Sequence, residues 1–330
     1  MPRLHLVTTG GTIASRVDPR TGAAVPAVRA EELVAEVPAL GKIAELAVTE
    51  FCLESSWNLG PEKVASLARV VRDLQASPEV AGIVVTHGTD TLEETAFALD
   101  LLLDGDTPVV FTGAMRDAST AGGDGPRNLV SAARVAVDPA ARGLGVLAVM
   151  NDEIHAARCV MKTHTTALGT FASPGAGPLG AIDGEGVRFH ARPARTPPLP
   201  LAPPAPPAPR VYLVKMAAGM DDLLLRALLE ARVDGVVIEG SGAGNVCGSW
   251  EGAIGDLVSA GIPVVLSSRC PGGRVTPTYG APGGGRRLRD LGVIAAGALP
   301  GPKARLALMF ALGAGLDVAG LRAYFARFAG

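Results

Sequence analysis

The sequence predicts an α/β protein of two unequal domains, each built on a mostly parallel sheet. Three observations carry this reading. Short apolar runs rich in Val and Ile recur along the chain, and each breaks at a turn rich in Gly, Thr, Ser or Asn. Stretches with helical spacing separate most of these runs, an alternation that builds βα units and so a parallel sheet with helices on both faces. From Pro193 to Pro209 proline is too dense for sheet or helix, which suits an extended, semi-rigid connector. The expected division is a larger N-terminal domain over 1–192, a Pro/Ala-rich linker over 193–209 and a smaller α/β domain over 210–330.

In chain order, Leu4 to Thr8 is the first buried strand. It ends at Gly10-Gly11, where the backbone must turn tightly or approach something closely, and Thr12 follows at once. Arg16 to Val28 shows no stable period and is expected to be a mobile loop, placed as a lid. Glu31 to Val37 makes a short helix stopped by Pro38, and Ala47 to Leu53 a second strand leading into Ser55-Ser56-Trp57-Asn58. Pro61 opens an amphipathic helix through Leu67, Val70, Val71 and Leu74. Gly82 to Val85 is a third strand, with Thr86-His87-Gly88-Thr89-Asp90-Thr91 at its carboxyl end and a helix from Leu92. Pro108 to Phe111 and Gly145 to Met150 are further strands, separated by a Ser/Gly/Asp loop and a helix from Asn128 to Val137. Beyond the linker the rhythm restarts, with strands over 211–214, 235–239 and 263–267 and helices over 221–231 and 249–260, then a helix or two.

Composition excludes several classes of function. Lys+Arg 30 against Asp+Glu 32 gives a net charge of −2, and no basic tract interleaved with aromatics offers a nucleic-acid surface. No continuous apolar run is long enough to span a bilayer. The N-terminus enters its first strand without a charged region, apolar core and cleavage site, so a cytoplasmic protein is expected. Cys52, Cys159, Cys247 and Cys270 are far apart, with no CxxC pair, and are expected to be free, mostly buried thiols. No His, Cys or carboxylate spacing matches a zinc site, and no metal or cofactor is expected. The run Gly240-Ser241-Gly242-Ala243-Gly244-Asn245 lacks the sixth glycine of a dinucleotide fingerprint, and Gly122-Gly123-Asp124-Gly125 lacks the Lys-Ser/Thr of a P-loop. Both are expected to be tight turns.

Polar groups gather where strands end, at Thr12, Ser56, Thr89-Asp90 and Asn245. Parallel strands put their carboxyl ends along one edge, so the first three clusters can converge. A threonine hydroxyl is a weak nucleophile and needs a base close by. Among the histidines, His5 lies in a strand, His190 near the linker and His87 beside Gly88, where a structural role is favoured. Lys162, in Met161-Lys162-Thr163-His164-Thr165-Thr166, is the better partner. Desolvated and close to Thr89, it could accept that hydroxyl's proton, while Asp90 could orient the lysine or bind a substrate ammonium.

Thr9-Gly10-Gly11-Thr12-Ile13-Ala14 and Thr86-His87-Gly88-Thr89-Asp90-Thr91-Leu92-Glu93-Glu94-Thr95 resemble the two signatures of the bacterial-type L-asparaginase/glutaminase family. Gly113-Ala114-Met115-Arg116, Asp124-Gly125, Val149-Met150-Asn151-Asp152 and Lys162-Thr163 extend the resemblance over almost the whole chain. The expected fold is then a larger flavodoxin-like parallel-sheet domain followed by a smaller Rossmann-like one. The resemblance implies cofactor-free hydrolysis of the side-chain amide of asparagine to aspartate and ammonia, often with slower glutamine hydrolysis. It also implies homodimers or homotetramers in which the smaller domain of one subunit completes its neighbour's site.

On this resemblance Thr12 matches the nucleophilic threonine, Thr89 and Lys162 the second threonine and its lysine, and Asp90 the carboxylate that holds the α-ammonium. Ser56 takes the place of the serine that binds the α-carboxylate, Trp57 falls where many members have glutamine, and Asn245 matches the asparagine contributed by the neighbouring subunit. Two departures stand out. Residues 16–30 lack the tyrosine many members hydrogen-bond to the nucleophile, and no acid lies near Thr276-Pro277-Thr278-Tyr279-Gly280, where many have a glutamate. Tyr279 is the group available to enter the site there. The bulk of Trp57 leads us to expect asparagine to be preferred over glutamine by at least roughly tenfold in kcat/KM. The alternatives are a glutaminase-asparaginase of broad specificity and a non-catalytic amino-acid-binding homologue. A tRNA-dependent amidotransferase component shares these signatures but is expected to need an appended partner or tRNA-binding region, for which the chain leaves no room.

Overall fold

A computed structural model describes residues 1–193, 195, 198–199 and 206–329. The chain splits into two compact units, Met1–Pro198 and Leu199–Gly330. The linker expected over 193–209 lies in large part outside the described residues.

In the first unit, β1 (Arg3–Gly10) passes through a tight turn into β2 (Ser15–Val17) and β3 (Ala24–Pro26). Then follow α1 (Ala30–Ala35), β4 (Glu45–Glu54), α2 (Pro61–Gln75), β5 (Val80–Thr86), α3 (Leu92–Leu102), β6 (Val109–Thr112), α4 (Gly125–Val137) and β7 (Val146–Met150). Next come β8 (Glu153–Ala156), β9 (Met161–Lys162), β10 (Phe171–Ala172), β11 (Gly180–Asp183) and β12 (Gly186–Phe189). The main sheet has the order β12-β11-β8-β7-β6-β5-β1-β4. The stretch from β4 to β7 is parallel throughout, whereas β8, β11 and β12 pair antiparallel, so the sheet is mixed.

Side-chain alternation decides how this sheet is covered. Leu4, Leu6, Val84, Val110, Leu147 and Val149 share one core with Leu33 of α1 and Leu129, Ala132, Ala133 and Ala136 of α4. Ile83, Val85, Val109 and Phe111, of the opposite parity, are equally buried. The helices α2 and α3 pack on each other, with α2 against β5 and α3 against β6 and β7. With both faces apolar and covered, the parallel strands read as continuous hydrophobic runs.

Two expectations for this unit need correction. The segment over 16–28 is not an irregular lid: β2 and β3 pair as an antiparallel hairpin. Asp18 caps its turn, receiving the N–H of Arg20 on its carboxylate and those of Thr21 and Gly22 on its carbonyl. Three-residue strands are too short to display an alternation, which is why no period is visible. The antiparallel flank was also unforeseen. It starts at a two-residue turn, with Met150 paired to Glu153 and Asn151 and Asp152 at φ of 50° and 61°. Asn and Asp are the non-glycine residues that tolerate this left-handed backbone most readily, and it suits a tight hairpin.

The second unit runs β13 (Val211–Lys215), α5 (Leu223–Glu230), β14 (Gly235–Gly240), α6 (Glu251–Ser259), β15 (Val264–Ser268), α7 (Gly285–Asp290), β16 (Ile294–Ala295), α8 (Gly301–Gly313) and α9 (Val318–Ala326). Its four strands are parallel and lie in sequential order. Val214, Ile238, Leu266, Leu225, Leu257 and the fully buried Trp250 form its core. The cysteines are free as expected, but Cys270 is exposed and the other three are only half-buried. Among the described residues no helix is long and apolar enough to cross a membrane.

Candidate active site

The site is assembled where β4, β1 and β5 end side by side. Gly10 and Gly11 have φ of 99° and 81°, the left-handed region that glycine enters without a Cβ penalty. Closeness adds a second constraint: a Cβ on Gly11 would lie 2.3 Å from both Cα and N of Gly88. The loop bearing Thr12 is therefore pressed, backbone to backbone, on the loop bearing Thr89. Gly88 is itself pinned on its other side, since a Cβ there would lie 2.7 Å from Cβ and Oγ of Ser56. The turn after Gly11 is held by its carbonyl, which accepts from Ala14 N at 3.0 Å and Ser15 Oγ at 2.8 Å. Thr12 starts the short helical turn Thr12–Ala14 and keeps part of its surface open. Thr91 Oγ1 donates to Ser56 O at 2.9 Å and ties the β5 loop to the β4 loop.

Lys162 joins these loops from outside the main sheet. Its Nζ donates to Thr89 Oγ1 at 2.9 Å and to Asp90 Oδ1 at 2.6 Å. The lysine side chain is 15% exposed and that of Asp90 52%, so the pair has a buried and an open end. The open end faces a cleft of about 470 Å³ lined by Asp90, Lys162, Thr163, His164 and Thr165. Thr12, Ser56, Thr89, Asp90 and Lys162 are thus drawn together within one unit. Trp57, next to the buried Ser56, is 66% exposed. Among the described residues, no group of three His, Cys, Asp or Glu is arranged to hold a metal ion.

His87 is fully buried, and desolvation pushes its pKa down to about 4. Its Nδ1 lies 2.8 Å from Gly88 O, an atom that only accepts, so Nδ1 carries the proton of a neutral ring. The ring packs against Phe111. It holds the Gly88 carbonyl in place and has no open path to a substrate.

Asn245 and Tyr279 belong to the second unit. The turn after β14 closes on Ser241 and Asn245, which exchange backbone hydrogen bonds, and α6 starts only at Glu251, so no helix opens on the glycines. Asn245 Oδ1 accepts from Gly285 N at 3.2 Å. Thr276 N donates to Ala243 O, which aligns the segment carrying Tyr279 with this turn, and Tyr279 is 57% exposed. The other glycine run is likewise a closed turn: Asp124 takes the N–H groups of Met115 and Arg116.

Two constraints on the site lie outside the residues the sequence singles out. Glu93 Oε2 accepts the backbone N–H of Lys162 at 2.8 Å. Buried Asn128 donates to Gly113 O and accepts from Asn151 N, locking the β6 loop to the β7–β8 turn. Only the motif membership of Glu93 hinted at the first, and nothing local signalled the second.

Loops from adjacent strand ends gather hydroxyls around one lysine, an arrangement suited to hydroxyl-based group transfer. Comparison with known proteins makes the class specific. Residues 3–195 match the model of the N-terminal asparaginase domain, and residues 210–325 that of the glutaminase/asparaginase C-terminal domain. The chain is 34% identical over 331 residues to L-asparaginase 2 of Bacillus subtilis, covering 98% of this chain and 86% of that protein. It is 36% identical over 319 residues to L-asparaginase 2 of Escherichia coli, covering 94% and 89%. A crystal structure of a probable cytoplasmic L-asparaginase from Campylobacter jejuni superposes with a TM-score of 0.89 at 32% identity, covering 99% of both chains. The chain belongs to the bacterial-type L-asparaginase/glutaminase family.

Proposed function

We propose that this protein is an L-asparaginase, hydrolysing the side-chain amide of L-asparagine to L-aspartate and ammonia through an acyl-enzyme on Thr12. One observation carries the proposal: Lys162 Nζ contacts Thr89 Oγ1 and Asp90 Oδ1 together, on a loop whose Gly88 abuts the residue preceding Thr12. The Thr12 hydroxyl gives up its proton as its oxygen attacks the amide carbon, and the C–N bond breaks as nitrogen takes up that proton and leaves as ammonia. Water gives a proton to the Thr89–Lys162 pair as it attacks the ester, and that proton passes to the Thr12 oxygen as the ester C–O bond breaks, restoring the Thr12 hydroxyl. The Gly11 N–H already donates to Glu54 O at 3.1 Å. That leaves the N–H groups of Thr12 and Thr89 as the proposed oxyanion donors.

Asp90 keeps an open face for the α-ammonium, and Ser56 takes the α-carboxylate. Within its own chain the indole of Trp57 is largely exposed. The preference for asparagine, at least roughly tenfold, is therefore assigned mainly to the fixed reach between these anchors and Thr12, which one extra methylene oversteps. Asn245 and Tyr279 are proposed to act in a neighbouring subunit's site, within a homodimer or homotetramer. A cytoplasmic location follows the name of the Campylobacter relative. The five parallel strands alone have the order 2-1-3-4-5, which supports a flavodoxin-like label for the larger unit. The smaller is Rossmann-like only in alternating parallel strands with helices. The test is ammonia release by the purified protein from asparagine and from glutamine. Turnover of asparagine at the higher efficiency is expected. Binding without turnover would favour the amino-acid-binding homologue, and turnover only with aminoacylated tRNA the amidotransferase.

A further inference from the structure

We propose that Glu93 is a positioning residue that sets Lys162 against Thr89, so that the reach of the lysine is fixed from both ends by a single segment of chain. The inference rests on the reading of Lys162 as proton acceptor. Lys162 lies in β9, which among the described residues pairs only with β10, in a two-stranded ribbon separate from the main sheet. The ladder of the main sheet therefore does not place it. Within the ribbon Lys162 is opposite Phe171, while the adjacent Thr163 donates its N–H to Thr170 O. In an antiparallel pair these bonds alternate, so the N–H of Lys162 points away from the ribbon.

The acceptor it meets is Glu93 Oε2, at 2.8 Å. Glu93 sits in the first turn of α3, where a negative charge is favoured by the helix dipole. It comes three residues after Asp90 and four after Thr89, the two groups that hold Nζ. Residues 89–93 thus grip Lys162 at its backbone and at its tip. With the backbone grip released, one tie between the ribbon and α3 is lost, and a displacement near 1 Å at a reacting group can cost on the order of 10²-fold in rate.

The test compares steady-state ammonia release and thermal unfolding for Glu93→Ala, Glu93→Gln, Lys162→Met and the double variant E93A/K162M. Glu93→Ala is expected to lower kcat by roughly 30-fold or more with KM within about threefold, because the substrate anchors are untouched. Glu93→Gln retains an acceptor oxygen and should stay within about threefold of wild type in kcat. The double variant should be no slower than Lys162→Met alone, since Glu93 acts through the lysine. If Glu93→Ala does not fold, Glu93→Asp replaces it, being one methylene too short to reach. The inference is overturned if the folded variant keeps kcat within threefold, if Glu93→Gln is as impaired as Glu93→Ala, or if the single losses multiply in the double variant. Full activity of Lys162→Met would remove the reading of the lysine and this inference together. A dead Lys162→Met beside an active Glu93→Ala would remove this inference alone.

Discussion

Replacing Lys162 by Met separates a chemical role from a structural one. The methionine keeps most of the aliphatic stem and removes the amino group with its two hydrogen bonds, to Thr89 Oγ1 and Asp90 Oδ1. Loss of a positioned proton acceptor typically costs 10²–10⁴-fold, so kcat should fall by at least roughly 10²-fold. Stability should hardly change. Asp90, the charge left behind, is 52% exposed at its side chain, and water screens such a group, so the deficit should not exceed about 1 kcal/mol. Ammonia release under saturating asparagine gives kcat, and urea unfolding followed by circular dichroism gives the stability. A kcat within threefold of wild type would refute the chemical role. A loss of several kcal/mol would show instead that the lysine is a structural tie.

Three further predictions follow from particular contacts. Gly11→Ala would have to hold a Cβ 2.3 Å from the Gly88 backbone at φ of 81°; it should cost at least about 2 kcal/mol of stability and most of the activity, and wild-type unfolding by urea would contradict the close approach. The pKa of His87 is lowered from 6.5 to about 4 by burial, so between those values the unfolded chain binds a proton that the folded one refuses. Stability should therefore fall as pH falls from 6.5 to 4, by roughly 3 kcal/mol from this residue, and His87→Asn should flatten that part of the stability–pH curve; an unchanged slope would contradict it. Mixing Thr12→Ala with Asn245→Ala protein should restore part of the activity through hybrid sites, and no recovery after verified subunit exchange would argue that each site is built from one chain.

The contrast between what was legible in the sequence and what was not has a physical basis. The buried parallel strands announce themselves because both faces are covered: the Ile83-Val84-Val85 and Val109-Val110-Phe111 runs are apolar without interruption. The convergence of the Thr12, Ser56 and Thr89 loops follows from parallel strand ends, and the glycines mark where the loops touch. The β2–β3 hairpin and the antiparallel flank stayed hidden because strands of two to four residues carry no readable period. The bond from Lys162 N to Glu93 spans 69 positions and depends on tertiary placement alone. The exposure of Trp57 within its own chain was likewise invisible. The commitment of Gly11 N–H to Glu54 O had no local signal either.

The central claim, that the Thr12 hydroxyl carries the acyl group, is tested most directly by trapping the intermediate. The purified protein is mixed with L-asparagine, quenched in acid within milliseconds and analysed by intact mass and peptide mapping. The account predicts an aspartyl ester on the peptide containing Thr12, formed with release of ammonia, absent from Thr12→Ala, and accompanied in that variant by a loss of at least roughly 10³-fold in kcat. An ester mapped to another residue, or a Thr12→Ala protein within tenfold of wild-type activity, would contradict it.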